Sequence, residues 1–260
     1  MHSSDYLTTL FGLDGQCALV TGASRGLGLA FAEAFASAGA HVVLGGRKQE
    51  ELERARNRLR DAGHSVSQVI LDVTDTKSVD EAVRSVEADV GPIDILVNNA
   101  GIQRRAPLES FSDADWSELM ATNLDGVFKV SRAAVKGMIE RRSGTIINVS
   151  SVQSALARPS IGPYAASKGA ITMLTKSMAG EWGQYGIRVN AIAPGYFKTE
   201  LNSALVADPK FSEWLVGRTP LRRWGEVQEL AGAAVFLASQ AASFVTGQTL
   251  LVDGGITSVL

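Results

Sequence analysis

The stretch CALVTGASRGLG, residues 17–28, decides the fold. Its first four residues are apolar with no polar alternation, the mark of a strand buried on both faces. The glycines that follow let the chain turn tightly into a helix and let backbone N–H groups approach a pyrophosphate at that helix's N-terminus. Gly22, Gly26 and Gly28 give the spacing G-x-x-x-G-x-G, which departs from the common G-x-G-x-x-G fingerprint, so the loop alone gives partial support. The same letters spell the G-x-S-x-G nucleophile elbow of α/β hydrolases. That fold brings its histidine after most of the sheet is built, whereas the histidines following Ser24 are His41 and His64. The elbow reading is poor.

Working outward, short apolar runs alternate with helical patterns. HVVL (41–44), SQVILDV (67–73), IDILVNN (93–99), GTIINVSS (144–151), GIRVNAIAP (186–194) and TLLVDGG (249–255) read as further strands, separated by amphipathic stretches. One of these, from about residue 112 to 141, is long. Strands without alternation, each followed by a helix, predict a Rossmann-type α/β domain: a doubly wound, seven-stranded parallel sheet with helices on both faces. No linker or repeat divides residues 1–260, so one domain is expected. The rhythm breaks at residues 196–225, which offer only short helical pieces after the sixth strand. Because ligands bind at strand carboxyl ends in such sheets, this segment is expected to be a substrate lid.

Composition narrows the function. With 45 % hydrophobic and 20 % charged residues the chain is an ordinary globular protein, and a formal net charge of -2 offers no basic field for nucleic acid. Cys17 is the single cysteine, so no internal disulfide or cysteine metal cluster can form. The opening MHSSDYLTTLFGLDG lacks signal-peptide features, and no apolar run reaches the roughly 18 residues of a membrane span. A cytoplasmic protein with no membrane partner and no tightly bound metal is expected.

The second strand ends in Leu44-Gly45-Gly46-Arg47-Lys48, with no acid to hold the ribose 2′-hydroxyl of NAD. Arg47, helped by Arg25, has the fork geometry to grip a 2′-phosphate, which predicts NADP(H).

GPYAASKGA, residues 162–170, places Tyr164 four residues before Lys168, on one helical face. Taken alone, the pair reads most simply as an amphipathic helix with a snorkelling lysine. Lowering a phenol by three pH units takes about 4 kcal/mol, and a unit charge about 4 Å away at an effective dielectric near 20 supplies about that. Desolvation of the phenolate opposes the shift. Ser151, at the end of the fifth strand, can donate to a substrate carbonyl, although strand-end serines commonly bond local backbone. Asn99, Ala100 and Gly101, ending the fourth strand, are placed to line a cofactor cleft or to make a simple polar turn. Asn123 lies within the long helix, either as a buried water-holding group or as a polar face residue.

Taken in order, TGASRGLG, NNAG, the helical Asn123, the strand-end Ser151, Tyr164-x-x-x-Lys168 and Pro194-Gly195 resemble the short-chain dehydrogenase/reductase family over essentially the whole chain. The resemblance implies that Ser151 polarises the substrate oxygen and Tyr164 transfers the proton. It implies that Lys168 lowers the tyrosine pKa and holds the nicotinamide ribose, while Asn123 supports a relay water. It also implies a coenzyme site made by Gly22, Ser24, Arg25, Gly26, Leu27 and Gly28, with Asp72 and Val73 at the adenine and Pro194, Gly195, Phe197 and Thr199 at the nicotinamide. A homotetramer, built through the long helix and the Tyr164 helix, is implied as well.

Residues 101–105, 151–158, 193–200 and 218–225 resemble, more narrowly, family members acting on a keto sugar acid. Two departures stand out: Ala155 where a glutamate is expected, and Ser150 where a cysteine is expected. Arg104 is the leading candidate to clamp a carboxylate in bidentate fashion, with Arg158, Arg218 and Arg223 as further candidates. The expected small-molecule substrate is therefore an anionic polyol. Alternatives are a 3-oxoacyl or other sugar reductase on the same scaffold, or a non-catalytic NADPH-binding sensor.

Overall fold

The computed structural model describes residues 3–259. Seven strands alternate with helices in the expected order: β1 (Cys17–Thr21), β2 (His41–Gly46), β3 (Val66–Ile70), β4 (Ile93–Asn98), β5 (Gly144–Val149), β6 (Ile187–Pro194) and β7 (Thr249–Val252). The helices are α1 (Ser3–Phe11), α2 (Gly26–Ser37), α3 (Gln49–Asp61), α4 (Thr76–Asp89), α5 (Asp113–Met120), α6 (Gly126–Arg141) and α7 (Gly162–Trp182), then α8 (Ser203–Val206), α9 (Pro209–Arg218) and α10 (Ala231–Ala238). No described helix is long and apolar enough to cross a membrane.

The sheet is wholly parallel, in the order β3-β2-β1-β4-β5-β6-β7. Alternate strand residues serve opposite faces. Ala18, Val20, Val42, Leu44, Ile95 and Val97 pack against Phe31 and Phe35 of α2 and Leu237 of α10. Leu19, Val43, Leu96, Ile146 and Val189 pack against Val83 of α4, Met138 of α6 and Met178 of α7. Helices thus cover both faces, which is why the strands show no polar alternation. Strand order reverses between β1 and β4, so the loops leaving β1 and β4 part to opposite sides and open a crevice at the strands' carboxyl ends.

The long helical region is not uniform. Residues Ala121–Asp125 form a π-helical turn between α5 and α6, a feature that sequence periodicity does not show and that occurs often at functional sites.

Candidate active site

The crevice is a cleft of about 760 Å³ running from the α2 N-terminus to the segment after β6. At one end, backbone closeness forces glycine. Gly22 has φ 64°, and a Cβ on it would stand 2.9 Å from Cα of Ala100. A Cβ on Gly28 would lie 2.3 Å from the Gly22 carbonyl. Asn99 holds this contact: its Nδ2 donates to the carbonyls of Thr21 at 2.9 Å and Gly22 at 3.1 Å. Thr21 Oγ1 in turn accepts from the N–H groups of Asn99 and Ala100, each at 3.0 Å. The glycine turn and the NNAG turn are therefore one fastened unit. Gly26, at φ 57°, has open space where a Cβ would be and faces the cleft, leaving room for a backbone-cradled phosphate. Gly28 packs behind the turn and does not line the cleft.

Ser24, Arg25, Leu27, Arg47, Asp72 and Val73 line the same end. Burial works against the Asp72 carboxylate, but hydrogen bonds from the Thr74 main chain and hydroxyl, with Arg47 and Lys129 nearby, bring it below its ordinary value. Arg25 lies 3.5 Å from Glu200 across the mouth.

At the other end stand Ser151, Tyr164 and Lys168. Pro163 sits in the first turn of α7, where its missing N–H costs nothing, and starts the helix directly before Tyr164. Lys168 Nζ is buried, donates to the Val149 carbonyl at 2.7 Å, and lies 5.7 Å from the centre of the Tyr164 ring. Burial pushes Lys168 down to about 8. Ser151 Oγ accepts from Gln153 N–H at 3.1 Å, the local backbone bond expected of such a serine. It also bonds the Tyr164 phenol. Ser150 bonds the carbonyl of Lys168 and Oγ1 of Thr172, both at 3.1 Å, and so ties the end of β5 to α7.

The electrostatics correct one expectation. In the protein alone, burial raises the Tyr164 pKa, outweighing the lowering by its hydrogen bond to Ser151 and by Arg105, while Tyr196 adds to the rise. Desolvation sets the direction, and Lys168 is not among the groups that lower the phenol.

Asn123 is fully buried in the π turn. Its Oδ1 accepts from Ile102 N–H at 2.8 Å, and its Nδ2 donates to Ile102 O at 3.0 Å and Ser167 Oγ at 3.3 Å. The side chain clamps Ile102, and both hydrogens of its amide are used.

Arg104 is a second correction. It forms a fork with Glu118, with contacts of 3.1, 3.0 and 2.7 Å, lies 3.5 Å from Asp115, and does not line the cleft. The next residue, Arg105, does line it, together with Arg158, Gln153 and Tyr196. Arg105 and Arg158 sit close enough to repel one another, and neither pairs with a carboxylate among the described residues. Arg158 lies 5.1 Å over the Phe211 ring, and its buried Nε has no partner. Arg223 is taken by Glu229, Arg218 reaches the Val259 carbonyl, and neither enters the main cleft. Ala155 is exposed and also outside it.

Pro194, Gly195, Phe197 and Thr199 line the cleft at the start of residues 196–225. The two ends of that segment are tied by Lys198 N–H to Gly225 O and Gly225 N–H to Tyr196 O, each at 3.0 Å. Tyr196, Phe211 and Trp224 pack ring against ring at 5.7 to 6.2 Å. Sequence reading missed Arg105, Gln153 and Tyr196 as cleft residues. No periodicity marks them, and Arg105 differs from its neighbour only in which way the loop turns it.

Comparisons with known proteins agree with this geometry. A family model described as enoyl-(acyl carrier protein) reductase matches residues 22–257. The chain is 56 % identical over 248 residues to a gluconate 5-dehydrogenase of Gluconobacter oxydans, covering 95 % of this chain and 97 % of that one. It is 47 % identical over 250 residues to a 5-keto-D-gluconate 5-reductase of Escherichia coli, covering 96 % and 98 %. Among solved structures, a gluconate 5-dehydrogenase from Burkholderia cenocepacia, in complex with NADP and tartrate, superposes with a TM-score of 0.95 at 55 % identity, covering 97 % and 99 %. With a parallel sheet reversing at β1 and β4, a glycine turn and the Ser151, Tyr164 and Lys168 constellation at one cleft, the chain belongs to the short-chain dehydrogenase/reductase family.

Proposed function

We propose that this protein is an NADP(H)-dependent oxidoreductase interconverting a hydroxyl and a ketone on a sugar acid, D-gluconate and 5-keto-D-gluconate being the pair the relatives name. The observation that carries the substrate class is the pair Arg105 and Arg158: two guanidinium groups facing one cleft without a carboxylate partner call for an anion. The Tyr164 phenol, bonded to Ser151 and acted on by Arg105, puts the acid within electrostatic reach of that anion site.

The coenzyme site fits the residues present. Gly26 leaves the backbone open to a pyrophosphate, Gly22 lets the turn close against Ala100, and Arg47 with Ser24 offers donors for a 2′-phosphate. Bound there, the nicotinamide supplies the hydride in reduction and takes it in oxidation. In reduction Ser151 donates a hydrogen bond to the substrate carbonyl oxygen, and Tyr164 gives its phenolic proton to that oxygen as it becomes an alkoxide. In oxidation the phenolate removes the hydroxyl proton. Lys168, anchored on Val149, holds its positive end beside the ring and is placed to hold the nicotinamide ribose. Asn123 positions the loop through Ile102. We read residues 196–225 as a lid over the substrate. Exposed Trp116, Phe128 and Met173 on α5, α6 and α7 support the homotetramer, and the single buried thiol accords with a cytoplasmic setting.

The test is NADPH consumption with 5-keto-D-gluconate, set against a neutral ketone and a 3-oxoacyl thioester. The sugar acid should give the highest kcat/KM. Faster turnover of the neutral ketone or the thioester would contradict the substrate assignment.

A further inference from the structure

Glu51 stands in the first turn of α3, and its carboxylate lines the cleft at the coenzyme's adenosine end. Ser24 Oγ donates to its Oε2 at 3.3 Å, and Lys48 Nζ donates to its Oε1 at 2.9 Å. The Glu51 side chain is 24 % exposed while that of Lys48 is 72 % exposed, so the acid is the inner partner of the pair. Ser24 and Lys48, with Arg47, are the donors a 2′-phosphate would use. A negative charge therefore stands on the ground that a phosphate would occupy.

We infer that Glu51 sets the coenzyme preference: its carboxylate competes with the 2′-phosphate for Ser24 and Lys48, and gives the ribose hydroxyls of NAD(H) the acceptor that the end of β2 lacks. The inference rests on reading this cleft as the NADP(H) site. For a phosphate to take Lys48, the ion pair must open and two anions must share one lysine. A ribose hydroxyl asks for neither, since it donates to the carboxylate and leaves Lys48 in place. Lys48, with Arg25 and Ser24, holds the Glu51 carboxyl below its ordinary value, so the charge is present throughout the working pH range. The arginine forks pull toward NADP(H), Glu51 pulls toward NAD(H), and the preference is smaller than Arg47 and Arg25 alone would give.

The test is fluorescence titration of NADPH and NADH into the coenzyme-free protein, for the parent chain, Glu51→Gln and Glu50→Gln. Glu50 lies in the same helical turn, exposed and outside the cleft, and controls for the helix charge. Glu51→Gln should raise the NADPH-to-NADH affinity ratio about tenfold, equivalent to about 1.4 kcal/mol. Displacement by adenosine 2′,5′-bisphosphate should strengthen and displacement by 5′-AMP should not, while Glu50→Gln should match the parent. An unchanged ratio, or weaker NADPH binding by Glu51→Gln, would overturn the inference while leaving the coenzyme reading intact. Binding of neither coenzyme by the parent chain would overturn both.

Discussion

Lys168 is fastened to Val149: its Nζ donates to that carbonyl at 2.7 Å, at the end of β5 and inside the protein. The bond fixes where the ammonium stands relative to Tyr164, and burial makes the ammonium expensive. Its pKa falls from 10.5 to about 8 on folding. Between those values the unfolded chain binds more protons than the folded one, so the protein gains stability as pH rises through that window. Below about 8 the penalty is complete. Lys168→Met should therefore show its greatest stability relative to the parent below pH 8, and the difference should shrink toward pH 10. Thermal unfolding across that range checks it, and a pH-independent difference in Tm would contradict it.

The two neighbouring arginines should behave oppositely. Arg105→Ala should raise the KM for an acidic substrate about thirtyfold, the cost of about 2 kcal/mol for a lost charge-assisted contact. Arg104→Ala breaks surface pairs with Glu118 and Asp115, outside the cleft, and should change KM about twofold or less. A neutral substrate should be nearly indifferent to both. Steady-state kinetics on the two variants decides, and equal effects on the acidic substrate would contradict the assignment.

Oxidation and reduction should diverge with pH. Burial holds the Tyr164 phenol above its ordinary 10.0 in the protein alone, so the phenolate that oxidation needs is scarce at neutrality. The kcat/KM for alcohol oxidation should climb up to about tenfold per unit between about pH 7 and pH 9, while ketone reduction, which uses the phenol, should not. Initial rates in both directions over one buffer series test this.

Asn123→Ala should cost about 2 kcal/mol of stability, because it strands the Ile102 N–H and carbonyl that the amide now satisfies. It should also lower kcat, since Ile102 borders the cleft. Chemical denaturation with parallel kinetics measures both, and a stability equal to the parent's would contradict the clamp.

Much of this molecule was legible as letters. Strand identity followed from unbroken apolar runs, because a sheet covered on both faces tolerates no polar alternation. The Tyr164 and Lys168 pair followed from helical spacing. What the sequence hid depends on side-chain partners brought from elsewhere. Arg104 lost its expected role because α5 presents Glu118 and Asp115 to it, a meeting that no spacing announces. The phenol's direction of shift depends on how deeply α7 buries Tyr164, and the clamp on Ile102 depends on a π turn that the residue pattern does not mark. Glu51 reads as one charge among many on an exposed amphipathic helix until Ser24 is seen beside it.

The most direct measurement is the turnover of Tyr164→Phe with 5-keto-D-gluconate and NADPH, taken together with NADPH binding to the same variant. Loss of the phenolic hydroxyl should lower kcat by about 10²- to 10⁴-fold while NADPH affinity stays within about threefold of the parent. Turnover at the parent rate, with coenzyme bound, would show that the proton comes from another group.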